Sequence, residues 1–183
     1  MLRRLFPFAV NLWLHRALLW QFIIRSVELR HRGSHLGLAW SILNPLLMLG
    51  LYVFVFGYIF GGSFGVLPDE TQLDYGLGIF LGLTIFQFFS EIISTSTLAI
   101  TTNPNLVKKV VFPLEILPAA GVGAAFFHLL ISFTFVLIGT AFLGPGLSRE
   151  CLWLPLIMLP IALLSLGVAW MFAAFGVFFR DLG

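Results

Sequence analysis

Four apolar stretches dominate this chain, at residues 38–61, 76–100, 114–143 and 152–179. A helix needs about 20 mostly apolar residues to cross a bilayer, and each stretch exceeds that length. None alternates polar and apolar residues at period two, which argues against membrane strands. An all-α membrane protein is therefore expected. Composition points the same way: 60% of the 183 residues are hydrophobic and 10% are charged, against about 25% charged in soluble domains. A soluble fold of this size could not cover so much apolar surface.

The charges between the stretches set an orientation. Residues 62–75 hold Asp69, Glu70 and Asp74 and no basic residue. Residues 101–113 hold Lys108 and Lys109, and residues 144–151 hold Arg149 and Glu150. With the N-terminus in the cytoplasm, nine of the ten basic residues lie inside: Arg3, Arg4, Arg16, Arg25, Arg30, Arg32, Lys108, Lys109 and Arg180. Only Arg149 lies outside, a strong positive-inside bias.

Residues 5–32, LFPFAVNLWLHRALLWQFIIRSVELRHR, are apolar but carry a cation every few positions. They are expected to form an amphipathic helix in the membrane interface, with Trp13 and Trp20 at headgroup depth. A fifth span is the alternative, and it would place Arg16 and Arg25 in lipid at about 2.5–3.5 kcal/mol each. Asn11, His15, Arg16, Gln21 and Arg25 also interrupt any apolar core of a cleavable signal.

Polar residues inside membrane helices are costly and need a reason. In the second stretch Thr84, Gln87, Glu91 and Ser94 or Thr95 recur every three or four residues and share a helical face, with Phe80 and Phe88 on or beside it. One reading is the lining of a water-filled path, where aromatic rings would suit sugar C–H faces. The other is a buried stripe bonded to neighbouring helices. For Glu91 the wet path is the expectation. In the third stretch Gly121, Ala124, Ala125, His128, Ser132 and Gly139 form a small-residue side suited to close helix packing.

No Walker loop, HExxH or nucleophile elbow is present, and Cys151 is the only cysteine. No catalytic residue, metal site, bound cofactor or nucleic-acid partner is expected.

Three motifs carry a resemblance. RSVELRHRGSHLGLAWSILNPLLMLGLYVFVFGYIFGG, residues 25–62, contains Leu36-Gly37, Trp40 and Asn44-Pro45 at the entry to the first span. NPNLVKKVVFPLEILP, residues 103–118, lies between the second and third spans, and FFRDLG closes the chain. In this order they resemble permease subunits of ABC transporters that export O-antigen, capsular polysaccharide or teichoic acid. One local departure is His31, where the family pattern suggests tyrosine.

The resemblance implies a single transmembrane domain over 1–183, working as two copies with two copies of a separate ATPase subunit that binds ATP. Its substrate would be a lipid-linked polysaccharide crossing the cytoplasmic membrane. The family has six spans, so a chain ending after four is expected to be C-terminally truncated. The resemblance also makes residues 102–113 a cytoplasmic coupling segment for the ATPase, with Asn103, Pro104, Asn105, Leu106, Val107, Lys108 and Lys109 at its heart. The local sequence suits a short helix. Asn103 can cap it, Pro104 can occupy its first position, Leu106, Val107, Val110 and Val111 give it an apolar side, and Pro113 stops it. Without the resemblance, a plain positive-inside anchor would be the favoured reading of the two lysines. Phe80, Thr84, Gln87 and Glu91 are the expected path residues. Arg25, Arg30 and Arg32 are expected to contact a lipid pyrophosphate, or simply headgroups. A permease for drugs or small molecules, and a membrane assembly protein without transport, are the rival readings.

Overall fold

The computed structural model describes residues 7–30, 36–65, 70–109, 112–142, 146, 149 and 153–179. The described residues are almost entirely helical. Two helices, α1 (Pro7–Leu14) and α2 (Arg16–Arg30), precede α3 (Trp40–Tyr52), which continues into a π-helical turn over Val53–Ile59. Then follow α4 (Gln72–Ala99), the short α5 (Pro104–Lys109), α6 (Ile116–Phe142) and α7 (Leu154–Phe178). Four of these are long and apolar enough to cross a membrane: Trp40–Ile59, Gln72–Ala99, Ile116–Phe142 and Leu156–Phe178. The expected class, an N-terminal helical segment followed by four membrane helices, is what the structure contains.

Residues 5–32 were expected as one helix. The structure describes α1 and α2 on either side of His15, and helical bonding runs across that residue: the His15 N–H donates to the Asn11 carbonyl at 3.0 Å and the Leu19 N–H to the His15 carbonyl at 2.9 Å. On α2, Leu18, Leu19, Phe22, Ile23, Ser26 and Val27 turn inward at the i, i+4 and i+1, i+5 spacings of one helical face. The outward face mixes Trp20 and Ile24 with Arg16, Gln21, Arg25 and Glu28. A face half apolar and half charged suits the headgroup layer better than either water or hydrocarbon.

Helix α4 begins four residues before the apolar stretch read from sequence. Thr71 and Asp74 explain the earlier start. The Asp74 N–H donates to Thr71 Oγ1 at 3.2 Å, and the Thr71 N–H donates to Asp74 Oδ2 at 3.0 Å. This reciprocal cap satisfies donors that the first turn of a helix leaves open. The loop before it is gathered by Glu70, whose carboxylate accepts from Ser63 Oγ and from the Phe64 and Gly65 N–H groups, each at 2.8 Å.

The chain divides into two compact units, one of residues 1–32, 89–126 and 158–183 and one of residues 33–88 and 127–157. In the first, Ile92, Ile116, Ala120, Ala125, Ala169 and Ala173 make a core of mostly small side chains. Small residues let helix backbones approach closely in lipid, where no hydrophobic effect drives helices together. The approach is tightest at Gly176, whose missing side chain leaves room for the Thr97 carbonyl. In the second unit, Gly76 lies so close to Val53 that a Cβ there would sit 2.6 Å from the Val53 Cα. Phe80 packs its ring on Tyr52, with centroids 6.3 Å apart.

Candidate functional site

Two groups of residues hold the N-terminal helices to the membrane helices. At the end of α2, Arg30 pairs with Glu91 of α4 through Arg30 Nη1 and Glu91 Oε1. The Arg30 side chain is 43% exposed and that of Glu91 18%. Arg30 sits in the last turn of its helix, where the carbonyl end favours a cation. A carboxylate in a membrane helix is costly alone, and the guanidinium offsets part of that cost.

The second group centres on Glu115, just before α6. Its Oε1 accepts from Asn11 Nδ2 of α1 at 2.8 Å, and its backbone carbonyl accepts from Trp170 Nε1 of α7 at 3.1 Å. Phe112 packs on Phe22 of α2, with ring centroids 5.3 Å apart. The segment after α5 is thus tied to α1, α2 and α7 within four residues. Sequence reading did not single out Asn11, Glu115 or Trp170 as a group. A carboxylate between Pro113 and Pro118 at the mouth of an apolar span was the available signal.

The path residues read from sequence lie along α4. Phe80 is buried at 3% exposure, Thr84 is half-buried and Gln87 is exposed. Glu91 follows one turn later, engaged by Arg30. The Thr95 hydroxyl is turned back on its own helix, donating to the Glu91 carbonyl at 2.7 Å. Of the expected phosphate contacts, Arg25 is exposed and stands 5.8 Å from the Phe22 ring centroid, while Arg30 holds Glu91. Arg32 lies outside the described residues, as do Val110 and Val111.

Helix α5 opens with Pro104 in its first position, where the missing N–H leaves no bond unmade. Asn103 does not spend its amide on that helix. Its Nδ2 donates backward to the Ala99 carbonyl at 2.9 Å, closing the end of α4. The two helices are therefore joined by a tight corner, with the Asn103 carbonyl accepting from the Leu106 N–H at 3.1 Å. Pro104 and Asn105 are exposed and Leu106 is half-buried. The side chains of Val107, Lys108 and Lys109 lie outside the described residues.

The small side of α6 packs as its composition suggests. Ala124, Ala125 and Ser132 are buried, and a Cβ on Gly139 would stand 2.9 Å from Leu77.

Comparison with known proteins adds the family. The chain is 28% identical over 160 residues to the O-antigen export system permease protein RfbA of Klebsiella pneumoniae, covering 86% of this chain and 58% of that protein. It is 28% identical over 172 residues to the protein of the same name from Myxococcus xanthus, covering 94% of this chain and 63% of that one. The chain therefore spans about three fifths of the length of these curated relatives. The profile of ABC-2 type transporters matches residues 17–183. With its four membrane-crossing helices, this multi-pass membrane chain belongs to the ABC-2 type transporter family.

Proposed function

We propose that the chain is the membrane-spanning permease part of an ABC exporter for a lipid-linked polysaccharide of the O-antigen type. The observation that carries this reading is the likeness to O-antigen export permeases over nearly the whole chain. A separate ATPase subunit supplies the energy, and two copies of the permease form the path. The protein lies in the cytoplasmic membrane with its N-terminus inside, which the nine-to-one distribution of basic residues supports.

In this reading α5 and its flanks, from Asn103 to Lys109, dock on the ATPase. The ties from Phe112 and Glu115 to α1, α2 and α7 support a role in passing movement of the ATPase on to those helices, since they connect the segment after α5 directly to them. Phe80, Thr84, Gln87 and Glu91, which recur on one face of α4, line the path. Arg25, Arg30 and Arg32 receive the anionic end of the substrate lipid at the interface.

Deleting the gene in its host should remove the surface polysaccharide and leave lipid-linked glycan on the cytoplasmic side. Restoration of the surface glycan by the plasmid-borne gene completes the test. Unchanged glycan with altered drug resistance would instead identify a small-molecule permease. Unchanged glycan and resistance, with a misassembled membrane complex, would identify an assembly protein.

A further inference from the structure

We propose that Glu91 is a built-in competitor for Arg30: a carboxylate that occupies the guanidinium until the phosphate of a lipid headgroup displaces it. This rests on the reading of Arg30 as a headgroup contact and adds what controls that contact.

The depth of the pair is the first argument. Helix α4 has 28 residues, about 42 Å of helix against a hydrocarbon core of about 30 Å. Centred, it projects about 6 Å at each end. Glu91 is eight residues from the Ala99 end, about 12 Å, and so lies about 6 Å inside the hydrocarbon edge. A guanidinium paired there lies just inside that edge, and its long side chain, anchored at the end of an interfacial helix, can snorkel outward to the headgroup phosphates.

The second argument is the asymmetry of the pair. Arg30 is 43% exposed, whereas Glu91 is 18% exposed. An incoming anion therefore meets the arginine and not the carboxylate. A guanidinium has more N–H donors than one carboxylate oxygen uses, and it binds phosphate bidentately. A phosphate can engage Arg30 before Glu91 lets go, so the exchange never leaves the arginine bare in a low-dielectric setting. The pair links the end of α2 to α4, so displacement removes that link.

The test is a double-mutant cycle on the intact protein in nanodiscs, reading binding of phosphate-bearing probes. The probes are a polyprenyl diphosphate lipid, phosphatidylglycerol and inorganic pyrophosphate. Glu91→Gln removes the competitor and should tighten binding about fivefold, the range of a partly exposed ion pair. Arg30→Gln should weaken binding, and adding Glu91→Gln in that background should then change nothing. Glu91→Asp, one methylene shorter, should give an intermediate gain of about twofold and carries the test if Glu91→Gln does not accumulate. The probe that shows the gain identifies the source of the phosphate. Unchanged or weaker binding by Glu91→Gln overturns the proposal, as does a gain that survives Arg30→Gln. No binding by any variant overturns this proposal and the headgroup reading together. Binding that depends on Arg30 but not on Glu91 overturns the competitor alone.

Discussion

Asn11 donates a hydrogen bond of 2.8 Å to the carboxylate of Glu115, 104 residues further along the chain. The same residue offers its backbone carbonyl to Trp170 at 3.1 Å. Side chain and main chain of Glu115 thus tie different helices, and substitution separates them. Glu115→Ala should remove the Asn11 bond and leave the Trp170 bond, at a cost of about 1 kcal/mol. Trp170→Phe should do the reverse. Thermal unfolding of each variant and of the pair checks this; near-additive losses are expected because the two bonds use different atoms.

Gly176 and Gly167 lie on the same helix in opposite situations. A Cβ at Gly176 would run into the Thr97 backbone carbonyl, whereas nothing lies within 4 Å of one at Gly167. Backbone cannot swing aside as a side chain can. Gly176→Ala should therefore destabilise the protein by about 1–3 kcal/mol, and Gly167→Ala should stay within about 0.5 kcal/mol. Equal losses in unfolding midpoint would show that the contact does not matter.

Orientation is tested by cysteine labelling from outside in a Cys151→Ser background. Cysteines replacing Asp74 and Arg149 should react in intact cells with a reagent that does not cross membranes. One replacing Lys108 should react only after the membrane is opened. Labelling of position 108 in intact cells would sink the proposed topology and, with it, docking of α5 on a cytoplasmic partner.

For α5 itself, apolar anchors are expected to matter more than charge. Leu106 is half-buried in the chain alone, so part of its surface is left for a partner. Leu106→Asp should cut recovery of the ATPase subunit with the permease at least tenfold, about 1.4 kcal/mol or more, because it sets an unpaired charge in a docking groove. Lys108→Ala should reduce recovery less than threefold, as a rim charge would. Co-purification from membranes measures both.

Hydropathy is a local property, which is why the number and kind of spans could be read from the chain alone. Lipid can satisfy no backbone group, so a long apolar segment pairs its own by forming a helix wherever its neighbours lie. The Pro104 start of α5 is legible for the same reason: it depends on residues adjacent in sequence. Caps were only half legible. Asn103 does cap, but it closes α4 behind it, since its amide can serve either neighbouring helix and the corner geometry chooses.

The partners of the polar residues were decided by tertiary structure. Sequence placed Arg30 at a headgroup and Glu91 in a wet path, two separate roles drawn from two separate stretches. Folding brings the two side chains together across 61 positions. Glu115 carried only one local hint, its place between two prolines, yet it ties Asn11 of α1 and Trp170 of α7 to the entry of α6. Periodicity tells which face of a helix a polar group occupies, but not which helix lies opposite. That depends on where small residues such as Gly176 and Ala120 let backbones meet, and once they meet, a polar group held away from water takes whatever donor or acceptor stands within reach.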